Sequence, residues 1–145
     1  MKCKILLFSL LLFVSNICNA QIFNKIRYVD KFDDETKTEV TLKSLVSITD
    51  TTITVEEKGK ASRTYWIIPK SIITTGTKNN PVNLLSNVWG YQKEYLVLKN
   101  KHNSNSDNVF IITHRTITEE FTKEYITEFF WITDHNGNRI IYMKN

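Results

Sequence analysis

Cysteine, proline, glycine and alanine are all scarce in this chain of 145 residues. Its two cysteines, Cys3 and Cys18, both fall in the first twenty positions, so the remainder has no thiol to form a disulfide, act as a nucleophile or bind zinc. Four glycines and two prolines stand against plentiful Thr, Ile, Val, Tyr and Phe. That palette suits pleated, half-buried surfaces and disfavours long helices. Charge of either sign is not in excess. With Lys2 and Lys4 set aside in the N-terminal segment, 17 basic residues face 15 acidic ones, which gives no basis for a nucleic-acid or anionic-membrane surface. There is no Gly-x-Ser-x-Gly elbow, no phosphate-binding loop and no His-Glu-x-x-His pattern. Catalytic residues and a cofactor are therefore not expected.

The one long apolar run lies at the N-terminus. Residues 1–20 carry Lys2 and Lys4, then ILLFSLLLFV, then the small-x-small tripeptide Cys18-Asn19-Ala20. This is the layout of an export signal cut before Gln21. The run is too short to span a bilayer, which takes about 20 apolar residues. Ile17 precedes Cys18 where a lipoprotein signal wants a small residue, so simple cleavage is expected ahead of lipidation at Cys18. The mature chain, 21–145, is long enough for one domain with an adequate core and has no transmembrane segment.

That domain reads as eight to ten short strands. A first strand is expected over 26–32, before the polar Asp33-Asp34-Glu35, and residues 38–42 read as a short strand or a connector. Val46 and Ile48 alternate with polar residues, as do Ile53 and Val55, so a two-residue loop at Asp50-Thr51 sets Ile48 opposite Ile53. Lys58-Gly59-Lys60 is a turn, and a strand over 63–68 ends at Pro69. A short strand over 71–75 is followed by a break over 76–87 that has room for one helical turn. Over 88–98, Trp89, Tyr91, Tyr95 and Val97 share one face. Residues 99–108 hold no apolar side chain before Val109 and read as a mobile, exposed loop leading to a strand over 109–117. The fold class is all-β: an antiparallel meander barrel or β-sandwich.

The last hairpin is the most legible. Asn136-Gly137 suits a two-residue turn, which would pair Thr133 with Ile140 and Trp131 with Tyr142. One face then holds Phe129, Trp131, Ile140 and Tyr142, assigned to the core. The other holds Phe130, Ile132, Ile141 and Met143, a candidate partner interface.

Polar candidates are few. His102, His114 and His135 show no metal-ligand spacing and are expected to face solvent. Glu124 and Glu128 would lie about 13 Å apart on one strand face, beyond the roughly 5–9.5 Å of a paired glycosidase site. With Glu119 and Glu120 they read as a solvated acidic stripe. The aromatics are chiefly core. Trp66, Trp89, Tyr91 and Trp131 are the candidates to line a ligand cavity for a small apolar molecule or a sugar ring, if the interior is hollow.

The Asn19-Ala20-Gln21 junction, the ITDTTITVEE hairpin and the closing FFWITDHNGNRIIY together resemble small exported, functionally uncharacterised all-β proteins of Bacteroidota, many of them lipocalin-like. The resemblance implies a protein of the periplasm or exterior. The function expected is non-enzymatic binding of a small ligand or partner protein at the cell envelope. An assembly protein docking through the last hairpin is the alternative, and a small hydrolase with a site scattered along the chain is a third.

Overall fold

The computed structural model describes residues 20–29, 37–118 and 125–144. All of the expected export signal except Ala20 lies outside them, as do Asp33-Asp34-Glu35 and Glu119, Glu120 and Glu124. Ten antiparallel strands form one sheet: β1 (Ala20–Val29), β2 (Lys37–Ile48), β3 (Thr52–Glu57), β4 (Arg63–Ile67), β5 (Ile73–Thr75), β6 (Val82–Leu85), β7 (Val88–Leu98), β8 (Val109–Thr118), β9 (Tyr125–Thr133) and β10 (Arg139–Met143). Chain neighbours pair from β1 to β4 and from β7 to β10, and β1–β10 and β4–β7 pairings join the two runs into a closed ring of eight. The antiparallel meander expected from the sequence is thus present, with its edges paired to each other.

Several expected elements are in place. Ile48 pairs with Ile53 across the Asp50-Thr51 loop, where Thr49 Oγ1 accepts the Thr51 and Thr52 amides at 3.3 and 2.9 Å. Gly59 adopts φ 81° in the turn after β3. The 88–98 alternation holds, with Tyr95 and Val97 buried on its inner side. Others differ. β1 begins at Ala20, and residues 38–42, expected as a short strand or a connector, belong to the 12-residue strand β2. The expected helical turn is instead the strand β6, paired with β7. Gly90 is what lets β7 run so close to β8, because a Cβ there would lie 2.1 Å from the Thr116 carbonyl oxygen. The 99–108 loop is exposed but stapled by Asn108. Its side chain accepts the Asn100 amide and donates to the Asn100 carbonyl, both at 2.8 Å, and donates to the Asn103 carbonyl as well.

The last hairpin corrects the sequence reading. Phe130 pairs with Tyr142, Trp131 with Ile141, Ile132 with Ile140 and Thr133 with Arg139. The connection is a three-residue loop: the Asp134 amide donates to the Asn138 carbonyl and the Gly137 amide to the Asp134 carbonyl, each at 3.0 Å. Gly137 takes the left-handed φ of 89°, and the Asp134 carboxylate accepts the Asn136 and Asn138 amides, both at 2.9 Å. An odd loop slips the register by one residue and exchanges the faces of β10 against those of β9. Tyr142 and Ile140 therefore join Phe130 and Ile132 inside the ring, while Phe129, Trp131, Ile141 and Met143 face outward.

The core follows from this register. Phe23, Phe130 and Tyr142, all fully buried, form an aromatic triad with ring centroids 5.9 to 6.4 Å apart. Each such contact adds about 0.5–1.5 kcal/mol beyond the area it buries. Ile26, Val46, Ile53, Val55 and Ile112 pack around the triad. Among the described residues no helix is long and apolar enough to cross a membrane.

Candidate functional site

The core does not fill the ring. At the end that carries the 99–108 loop and the Asp134–Asn138 turn, a cavity of about 630 Å³ opens. Strand alternation builds its wall. Tyr28 on β1 lies opposite Ile140 on β10, which lies opposite Ile132 on β9. Tyr65 of β4 and Phe110 of β8 complete it, their rings edge to face at 5.6 Å. These inner positions alternate with outward residues, so each strand supplies one or two side chains to the wall. Arg63, Lys99, Arg139 and Asp134 supply its charge. The Asp134 carboxylate accepts the turn amides and, at 3.0 Å, the Asn138 side-chain amide.

Beside the cavity lies a polar cluster that the sequence reading missed. Glu57 on β3 is buried, with its side chain only 2 % exposed. Its Oε1 accepts hydrogen bonds from the Arg63 guanidinium and, at 2.7 Å, from the Tyr142 phenol. Arg63 also donates to the Tyr142 oxygen. Lys60 Nζ stands 2.6 Å from Glu57 Oε2 and donates to the Tyr28 hydroxyl at 2.9 Å. Burial opposes the charged form of Glu57, but the hydrogen bonds from Lys60 and Tyr142 and the nearby Arg63 charge outweigh it, and its carboxyl is held below the usual range. Burial raises the Tyr142 phenol strongly, and its hydrogen bond to Glu57 raises it further. A signal for this cluster did exist: Ile53 and Val55 place Glu57 at the next inner position of the same strand, where a carboxylate must find partners.

The opposite end holds a smaller cavity of about 200 Å³, bounded by Gln21, Ile48, Tyr91, Lys93, Tyr95 and His114. Here His114 is no solvent-facing histidine. Its side chain is 17 % exposed and its Nε2 bonds Glu128 Oε1. Glu128 is itself buried and receives Lys144 Nζ at 2.5 Å, so it is no part of a solvated stripe. Burial again opposes ionisation, and His114 and Lys144 outweigh it, lowering the Glu128 carboxyl.

The four candidate ligand residues are not brought together. Tyr91 lines the small cavity, and Trp131 lies on the outer wall under the Arg115 guanidinium, 4.7 Å from its ring centre. Trp66 is half-buried between Thr52 and Leu98, and Trp89 lies opposite Asn83; neither lines the large cavity. The candidate interface divides as the register requires: Phe130 and Ile132 are in the core, whereas Ile141 and Met143 line an outer groove of about 340 Å³. Neither a family model, nor a curated protein, nor a solved structure matches the chain.

Proposed function

We propose that this protein binds a small molecule with an apolar body and one anionic head group in the large cavity. The carrying observation is the lining: apolar and aromatic walls, with Arg63 and the exposed Lys99 among them. The volume falls within the roughly 300–1,000 Å³ of small-ligand sites, and a few placed charges on an apolar wall are how such sites orient what they hold. Arg63 shares the one Glu57 carboxylate with Lys60, so its charge is only partly balanced. An anion is therefore the favoured head group.

Calorimetric titration with dodecanoate, dodecylamine and dodecanol tests the reading. Saturable binding of dodecanoate, with the amine at least about ten-fold weaker, is expected. Lys99→Glu, at an exposed position, should cost about ten-fold in dodecanoate affinity, or roughly 1.4 kcal/mol. Equal binding of all three compounds, or none, would refute it.

Export is part of the same proposal. The two lysines, the apolar run and Cys18-Asn19-Ala20 support release of a mature chain into the periplasm or beyond. Intact mass of the protein recovered from the envelope fraction is expected to begin at Gln21. A mass retaining residues 1–20, or a lipid on Cys18, would contradict it.

A further inference from the structure

We propose that the small cavity at the opposite end of the ring is a second binding site, for a neutral, hydroxyl-rich molecule the size of one sugar ring. It shares no lining residue with the large cavity, and Phe130 of the aromatic triad stands 6.4 Å from the His114 ring on this side. Alternation along β7 builds one wall. Tyr91, Lys93 and Tyr95 follow one another at every second position, Tyr95 buried and Lys93 exposed.

Two unpartnered polar groups on the wall define what fits. Tyr95 is 5 % exposed, and its phenol makes no hydrogen bond among the described residues. Glu57 Oε2 and Thr118 Oγ1 are the described side-chain atoms both unbonded and closed off. The Tyr95 oxygen is not one of them, so it opens onto space, and the cavity is the space that Tyr95 borders. Burial raises this phenol, so it keeps its proton and can both donate and accept. A buried hydroxyl without a partner is costly, and a bound ligand removes that cost.

His114 is the second group. Its Nε2 meets the Glu128 carboxylate, whose other oxygen receives Lys144. Against the effect of burial, His114 and Lys144 hold that carboxyl below its usual range, so it only accepts and the ring proton sits on Nε2. A neutral ring then leaves Nδ1, unpartnered among the described residues, as an acceptor. The matching ligand must give hydrogen bonds as well as take them. Hydroxyl groups do both, whereas an ionised carboxylate only accepts and would leave Nδ1 unsatisfied. Tyr91, Tyr95 and Ile48 supply apolar contact for the C–H groups of such a ring. About 200 Å³ is the liquid volume of roughly seven waters, which suits one ring and excludes a lipid-sized guest.

Saturation-transfer NMR of the purified protein tests the inference, with glucose, galactose, mannose, arabinose and myo-inositol as probes and acetate as the acceptor-only control. The titrations are run at about pH 8, above the ordinary imidazole range. At least one of the five should bind saturably, and any binding of acetate should be indifferent to Tyr95. Tyr95→Phe removes one oxygen and should weaken the sugar by about five-fold or more. Its urea midpoint should be unchanged or raised, because no bond within the protein is lost. Binding by none of the five, affinity unchanged in Tyr95→Phe, or acetate binding that depends on Tyr95 would overturn the proposal. So would a lowered urea midpoint in Tyr95→Phe, which would give the phenol to the fold. Dodecanoate affinity should be the same in Tyr95→Phe and the wild type, so this site and the large cavity can fail separately.

Discussion

Glu57→Ala is expected to destabilise the protein by about 3 kcal/mol while Glu57→Gln strengthens its hold on an anionic ligand. The carboxylate joins two strands and the chain end, receiving Arg63, Lys60 and Tyr142. Removing one member of a buried ion pair strands the others, and the loss is typically about 3–5 kcal/mol. Here the lower end of that range applies because the Arg63 and Lys60 side chains are 32 % and 53 % exposed and regain some water. In Glu57→Gln the amide oxygen still accepts the phenol, but Arg63 loses its charge partner and faces the cavity with its charge uncompensated. Urea melts and dodecanoate titrations should therefore move in opposite directions. A loss under about 1 kcal/mol for Glu57→Ala would mean that water, not the cluster, satisfies this carboxylate.

The same pair of melts carries a pH signature. The folded-state carboxyls of Glu57 and Glu128 both lie below their ordinary value of 4.5. Groups shifted this way contribute stability that is present above the unfolded value and lost as pH falls through the folded one. Acid should thus destabilise the wild type, with a smaller acid limb in Glu57→Ala, where Glu128 still contributes. At the other extreme Tyr65, Tyr95 and Tyr142 are raised, chiefly by burial, so the unfolded chain releases these protons first and stability should fall above about pH 10.

What could be read in advance was whatever depends on one strand or one short turn. The alternation of Tyr91, Tyr95 and Val97 is a property of β7 alone, and Ile48 opposite Ile53 follows from one two-residue loop. The last hairpin failed because its faces depend on counting loop residues. Asn136-Gly137 invites a two-residue turn, but Asp134 caps the amides of Asn136 and Asn138 and draws a third residue into the loop. The Glu57 cluster was out of reach for another reason. Its contacts to Tyr142 span 85 residues and exist only because β10 closes the ring against β1. His114 was misjudged likewise, since the inner side of β8 is defined only once β9 and β7 flank it.

Phe130→Ala is expected to cost about 3–5 kcal/mol, the range for truncating a fully buried aromatic. Its neighbour Phe129, one position earlier on β9, should cost under about 1 kcal/mol when truncated, because it lies on the outer groove. A two-residue turn at Asn136-Gly137 would reverse the order, since Phe129 and Trp131 would then share the inner face with Tyr142. The two variants together are thus a parity test that needs no structure of the mutants. Phe130 touches both Phe23 and Tyr142, so its truncation also opens a void at the centre of the triad. That void lies beside the Tyr142–Glu57 bond, so the loss at Phe130 should not add to the loss at Glu57 in the double variant. Additive losses would separate the aromatic triad from the polar cluster. Losses that fall short of the sum would make Tyr142 the joint between them, its ring in the core and its phenol in the cluster beside the cavity.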